Sequence, residues 1–445
     1  MRKLAYLAVA GLFVLTVVST SVVAGPVIGG RTLYATSFDK AVVDLDNNDL
    51  PDNWTTRNGA TAPTTPGWRI DPDGELIYDV SGTNLGMTDY TGTLTTGAAG
   101  NSLTDCVVTA SFQQSGANMT GLVSRLVNAG SYYHARHYAN SLQIYKFPAS
   151  LLVSVPVPGP DRYQAGETWQ ISMTTFENRI SAKLTDNDGK VVAKARVIDN
   201  AYSTGSAGFR CYGTSIYEDF SIRELHTQTI TTAEGNGADT YVEYLNGANT
   251  NNNYGTATVI NTKNAVQGTS ELFRKGYLRF DLSQLAFPVE DAFLQLTTGN
   301  DSTGQTFSIF GLNDGHAGEN WGETTITYAN APANTSVANS NNDITADAAF
   351  LGTLAGAATG VTTQFSSDDF VDFLLADTDG LVTLIVTRDW QDPNYGGSIH
   401  SFRSKEYGSG EYAPRLLCSV QVPEPTTLSL LGLGGLALIR RRRKA

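Results

Sequence analysis

The sequence predicts an all-β chain built as two consecutive β-sandwich or jelly-roll domains, and three observations carry that expectation. Short runs alternate apolar with polar residues, no stretch sustains a long 3.6-residue apolar period, and 44 glycines with Thr, Asn and Ser punctuate the runs. Many short strands with frequent turns suit sheets packed face to face. At 445 residues the chain exceeds one ordinary domain.

Taken in order, residues 1–24 read as a secretory signal peptide. Arg2 and Lys3 form a charged start, Leu4 to Val18 an apolar run, and Val22-Val23-Ala24 a small-residue cleavage site before Gly25. Residues 33–225 form the first domain. Its clearest hairpin spans Arg179 to Ile198: Ile180, Ala182 and Leu184 share one face, Asp186-Asn187-Asp188-Gly189 supplies the turn, and Val191 to Val197 returns. Trp169, Ile171, Met173 and Thr175 alternate as another strand. Residues 226–238, polar and then glycine-rich, read as a linker before the second domain, 239–421. One short helix is expected over Ser367 to Ala376, with Asp368 and Asp369 in its first turn and Phe370, Phe373 and Leu374 on one face.

The tail, 422–445, combines three devices. Pro423-Glu424-Pro425 holds the chain extended, because proline excludes helix and ladder. The apolar run Leu428 to Ile439 is twelve residues long, short of the ~20 that cross a bilayer comfortably. Arg440, Arg441, Arg442, Arg443 and Lys444 then hold the end on the cytoplasmic side. This order closely resembles the PEP-CTERM sorting signal, with a plain tail anchor as the competing reading. The resemblance implies recognition by exosortase, a membrane transpeptidase-like enzyme of Gram-negative bacteria. It also implies export to the cell surface or extracellular matrix, with membrane contact only through this short transmembrane tag before processing.

The chain holds 30 basic and 43 acidic residues. The two end segments remove seven bases and only Glu424, so the part between them is more acidic still. Such a surface argues against nucleic acid or an anionic membrane as partner, and is compatible with Ca²⁺ or with simple solubility in salt. Of three cysteines, Cys106 and Cys211 either pair in an oxidising compartment or stay buried as thiols, and Cys418 stands alone. Asp44, Asp46, Asp49 and Asp52 place carboxylates as in a calcium loop, but lack its central Gly and terminal Glu; a solvated acidic turn is the alternative.

In the first domain, Ser37-Phe38-Asp39, Asp49-Leu50-Pro51-Asp52-Asn53-Trp54, Gly67-Trp68-Arg69-Ile70 and Asp73-Gly74-Glu75-Leu76 come in order. Tyr132-Tyr133-His134-Ala135-Arg136, Leu142 to Lys146, Gly205 to Arg210 and Phe220-Ser221-Ile222 follow. The series resembles concanavalin-like jelly rolls of the laminin-G or glucanase type. A glucanase needs paired carboxylates, and Glu167 and Glu177 are isolated. A jelly-roll lyase needs Tyr, His and Arg together, and Tyr132 to Tyr138 supplies those types, divided between faces. A polar sheet face or sugar-binding strip is the competing reading.

In the second domain, Asp239-Thr240-Tyr241-Val242, Asn251 to Gly255, Arg274 to Leu282, Ala292 to Leu296, Trp321 to Tyr328, Asn330-Ala331-Pro332, Phe402 to Glu406 and Ala413 to Leu416 resemble the DNRLRE domain. That is a secreted β-sandwich module, some members of which bind carbohydrate, including alginate-like polymers. Alternation puts Tyr277, Arg279 and Asp281 on a polar face and Leu278, Phe280 and Leu282 in the core. Lys263, Arg274, Lys275, Arg279, Arg403 and Lys405 are the candidate basic strip for a uronate, although residues 233–421 hold eight basic and 22 acidic residues. Trp321 and Trp390 are candidate sugar-stacking rings, with core packing the alternative for Trp321.

The sequence therefore points to an exported protein with non-catalytic, glycan-binding or structural modules and extracellular polysaccharide as partner. The alternative is a polysaccharide-degrading enzyme, catalytic in the first domain and targeted by the second.

Overall fold

A computed structural model describes residues 32–38, 51–58, 68–70, 75–78, 85–92, 94, 98–114, 119–148, 150–248, 250–286, 289–335, 343–394 and 396–420. The signal peptide, the sorting tail and Asp44, Asp46 and Asp49 lie outside the described residues. Among the described residues no helix is long and apolar enough to cross a membrane.

The fold is all-β, in two sandwiches. In the first, one sheet runs Val191–Ile198, Arg179–Thr185, Trp169–Phe176, Cys106–Gln114, Ser215–Tyr217, Leu76–Tyr78, Trp68–Ile70, with Phe220–Glu224 also paired to Cys106–Gln114 and Thr32–Thr36 beyond it. The other runs Ser150–Pro156, Ser141–Phe147, Ser131–Tyr138, Met119–Asn128, Ser206–Tyr212, Leu85–Tyr90, Trp54–Asn58. Val108, Phe112, Ile171, Met173, Ile180 and Leu184 face Leu122, Tyr133, Ala135, Ile144 and Phe209 across the core. The Arg179 to Ile198 hairpin forms as the alternation requires, with Ile180 opposite Val197 and Gly189 at φ 80° closing its turn. Cys106, Cys211 and Cys418 are buried free thiols.

In the second sandwich, His226–Thr231, Arg415–Val420, Val289–Thr297 and Thr362–Phe365 form one sheet. The facing sheet runs Ala348–Ala355, Thr306–Leu312, Leu381–Arg388, Ser270–Asp281, Val259–Gln267, His400–Arg403, and Ala238–Leu245 also pairs with Ser270–Asp281. Helix Asp368–Ala376 buries Phe370, Val371 and Leu374, and the Phe370 amide donates to Ser367 Oγ at 2.9 Å as an N-cap.

Two sequence expectations are corrected. Residues 226–238 are no linker: His226–Thr231 is a strand paired with Arg415–Val420, so Leu225 alone separates the last strand of one sandwich from the first of the next. Its Thr and Gln side chains are polar because the strand lies at a sheet edge, and polarity by itself does not distinguish an edge strand from a loop. The second correction concerns the strand Ser270–Asp281, which is covered on both faces. Leu278 and Phe280 pack in the sandwich core. On the reverse face Phe273 and Tyr277 pack under Trp321, Ile326 and Tyr328. The segment after Leu312 thus closes over the face that alternation assigned to solvent.

The two sandwiches are welded at Arg179, which is 1 % exposed. Its guanidinium donates to Asp291 at 2.8 Å, Ser366 Oγ at 3.0 Å and Asp368 at 2.7 Å, all in the second sandwich. Lys183–Glu290 and Arg196–Asp372 flank it. Val107 and Phe176 meet Phe293 and Leu225 in an apolar cluster beside it. Removing one partner of a buried pair strands the other, at a cost of about 3–5 kcal/mol. Arg179→Ala is therefore expected to lower stability by about that amount in denaturant unfolding, whereas Asp368→Ala, whose side chain is 59 % exposed, costs less than about 1 kcal/mol. Equal effects would show that the weld lies elsewhere.

Candidate functional site

The basic strip proposed for the second domain does not form a surface. Lys263 is fully buried and donates to Asp392 at 2.9 Å and the Ser398 carbonyl at 3.1 Å. Arg274 pairs with Glu243. Lys275, also fully buried, donates to Asn334 Oδ1 at 2.8 Å and the Asp343 carbonyl at 2.6 Å, and burial pushes its ammonium down to about 7. Arg279 donates to the Asn236 and Trp321 carbonyls at 2.7 and 2.6 Å and lies 5.0 Å from the Trp321 ring. Lys275 and Arg279 therefore tie the covering segment to the sheet. Arg403 sits between the rings of Tyr407 and Tyr412, at 4.1 and 4.3 Å. Alternation identified the face of Arg279, but not the segment that folds over it.

Lys405 belongs to a knot that joins distant sequence phrases. Its ammonium bridges Glu323 at 2.9 Å and Glu406 at 2.5 Å. Asp239 accepts from the Lys405 amide at 3.0 Å and from Thr232 Oγ1 at 2.5 Å, while its own amide donates to Glu323 at 2.9 Å. Burial, with Glu406 and Glu323 nearby, pushes the Asp239 carboxyl up to about 7. Burial opposes the charge on Lys405, yet its hydrogen bonds to Glu406 and Glu323 hold its pKa above the ordinary lysine value. The knot supplies its own cation and works as a fastener.

Of the two candidate stacking rings, Trp321 is 7 % exposed, and its Nε1 donates to Thr383 Oγ1 at 3.1 Å. Trp390 is 52 % exposed, on the loop after Leu381–Arg388. Asp52, the described member of the proposed calcium loop, lies in the turn before Trp54–Asn58.

A half-buried aromatic and basic constellation lies on the first sandwich, on the face of Ser131–Tyr138 turned away from the main core. Tyr132, His134 and Arg136 share that face and stand opposite Phe147, Tyr145 and Gln143 on the next strand. Arg136 lies 3.9 Å from the Tyr145 ring centre and 5.1 Å from that of Tyr138, and Gln143 Oε1 accepts from its Nε and Nη2 at 3.0 and 2.8 Å. Two strands away, Arg210 stacks on Phe147 at 4.4 Å and donates to the Tyr132 hydroxyl. Gly121 separates the two arginines in the register, and any side chain there would strike the Ala135 carbonyl. His134 is fully buried beneath them, so burial, then Arg210 and Arg136, keep it neutral. Burial likewise pushes the Tyr132 hydroxyl up to about 12. Arg136, Gln143, Tyr145 and Phe147 are half-buried and Tyr138 is 40 % exposed, which leaves an aromatic strip carrying positive charge. Stacked rings beside a guanidinium fit sugar faces and an acidic substituent. Sequence reasoning found the Tyr132 to Tyr138 strand; Arg210, Tyr145 and Phe147 join it only through strand register.

Comparison with known proteins bears on both ends of the second half. Residues 230–353 match carbohydrate-binding module family 96, and residues 421–444 match the PEP-CTERM protein-sorting motif. The carbohydrate-binding expectation for the second domain is thus met by family 96. Among solved structures the chain is similar to the carbohydrate-binding module CBM66 from Bacillus subtilis, at 16 % identity and a TM-score of 0.26, over 39 % of this chain and 92 % of that one. It is also similar to a galectin-like-fold protein of unknown function from Bacillus subtilis, at 14 % identity and 0.32, over 44 % and 97 %. Arcelin-5, a lectin-like defence protein from Phaseolus vulgaris, gives 12 % and 0.31, over 43 % and 98 %. No curated protein sequence matches the chain.

If Arg279 is the fastener its contacts describe, Arg279→Ala leaves buried carbonyls without a donor, at about 1–3 kcal/mol. Melting is expected to fall accordingly. An unchanged melting curve would return Arg279 to the list of ligand contacts.

Proposed function

We propose that this chain is an exported, non-catalytic glycan-binding protein, delivered by its PEP-CTERM motif to exosortase and displayed at the cell surface or in the extracellular matrix. The match of residues 230–353 to a carbohydrate-binding module family carries the glycan-binding part. The contact surface we assign is the strip of Tyr138, Tyr145, Arg136 and Phe147, where rings take a sugar face and the guanidinium charge favours a carboxylated polysaccharide. Trp390 is a second, separate contact of the second sandwich, because its ring is exposed while the bases around it are internal. The non-catalytic part is supported by burial: a Tyr–His–Arg lyase centre would need Tyr132 and His134 to reach substrate, and both are fully buried.

The test is affinity electrophoresis of the full chain through alginate, a polyuronate, and through a neutral glucan, with released sugars assayed in parallel. Retention in alginate is expected, with about tenfold weaker retention for Tyr145→Ala and Arg136→Ala at unchanged melting, since one lost stacking or ionic contact is worth about 1.4 kcal/mol. Loss in Trp390→Ala alone would move the main site to the second sandwich. Absence of retention in either gel would overturn the reading, and product release would make the chain an enzyme.

A further inference from the structure

Four carboxylates outside the sites described above converge on two neighbouring loops of the second sandwich. Asp314 and Glu319 lie on the loop that follows strand Thr306–Leu312 and begins the covering segment. Asp377 and Asp379 lie between helix Asp368–Ala376 and strand Leu381–Arg388. Oxygens of Asp314, Asp377 and Asp379 all lie within 4.8 Å of one another. Hydrogen bonds hold the loops in place: Asp314 accepts from Thr378 Oγ1 at 2.7 Å, Asp377 from the Gly380 amide at 2.9 Å, and Asp379 from the Leu381 amide at 2.9 Å.

An independent observation points inward. Glu319 is 4 % exposed and its Oε2, buried, has no hydrogen-bond partner; Oδ1 of Asp377 is likewise buried and unpartnered. A buried carboxylate oxygen without a donor is costly, and three further carboxylates around it raise the cost. Burial, then Asp379, Asp377 and Asp314, push Glu319 up to about 7; burial, with Asp379 and Asp314 adding, pushes Asp377 up to about 6. The contrast with the Asp239–Glu323–Glu406 knot is informative, because there Lys405 places an ammonium among the carboxylates. Here Arg279 lies close by, but its Nη1 donates to the backbone carbonyls of Glu319 and Trp321.

We propose that Asp314, Glu319, Asp377 and Asp379 form a Ca²⁺ site that fastens the start of the covering segment to the sheet. Calcium suits an all-oxygen, carboxylate-rich set on two loops, whereas Mg²⁺ demands near-octahedral geometry that such loops do not impose. Extracellular calcium modules bind at about 0.1–1 mM, which sets the range to examine.

The experiment is calorimetric titration of the chelated full chain with Ca²⁺ or Mg²⁺, together with melting in Ca²⁺ and in chelator. Calcium is expected to bind with a dissociation constant below about 1 mM and to raise the melting temperature, with a weaker response to Mg²⁺. Asp377→Asn with Asp379→Asn should abolish the calcium response without lowering chelated stability; Asp314→Asn, at an exposed residue, serves as the second variant should the first fail to fold. No response of the wild type at about 10 mM Ca²⁺, or an unchanged response in the variants, overturns the proposal.

Discussion

The constraint on which the rest of the structure depends is the desolvation of its cations. A buried guanidinium or ammonium is tolerable only when hydrogen-bonded and paired. Arg179 between the sandwiches meets that condition with Asp291, Ser366 and Asp368. Of the eight basic residues of 233–421, Lys263, Arg274, Arg388 and Lys405 pair with carboxylates, Lys275, Arg279 and Arg415 donate to carbonyl or amide oxygens, and Arg403 lies between two tyrosine rings with its buried Nε unpartnered. Arg388 donates to Gln305 and the Ser398 carbonyl, and Arg415 to the Glu411 carbonyl. With 22 acidic residues in the same stretch, the positive charge is placed inside and a surplus of carboxylate remains. Among the described residues of the second sandwich, that imbalance accords with the internal engagement of these bases and with a carboxylate set, Asp314, Asp377 and Asp379, that has no salt bridge.

The same constraint separates the roles of the two sandwiches. In the first, the half-buried Arg136 stacks on the Tyr145 ring without a carboxylate partner among its hydrogen bonds, on a face turned from the main core. A guanidinium held against a ring keeps its charge and its alignment, which is what recognition of a carboxylated sugar requires. In the second, Lys275, Arg279 and Trp321 hold a covering segment that makes the sheet two-sided. Because Leu225 is the whole connection and Arg179 the weld, the two sandwiches present their surfaces as one body.

Much of this fold was legible in the sequence, and the failures share one cause. The Arg179 to Ile198 hairpin and the short helix behind Ser367 follow from local period and turn chemistry. The sorting tail was legible because its order of proline, apolar run and basic block is linear. What local pattern could not supply was the other side of each face. Tyr277, Arg279 and Asp281 alternate as a solvent face does, yet a segment forty residues downstream covers them. The Asp44 to Asp52 run drew attention to calcium through sequence proximity. Asp314, Glu319, Asp377 and Asp379 come together only through strand order and have no contiguous signature.

A crystal structure of the full chain grown with calcium and an oligouronate would test the central claim most directly. The account predicts sugar across Tyr138 and Tyr145 with its carboxylate toward Arg136, and a cation among Asp314, Glu319, Asp377 and Asp379. Sugar lying along Ser270–Asp281, with Lys275 or Arg279 released from its carbonyls to meet it, would contradict the account.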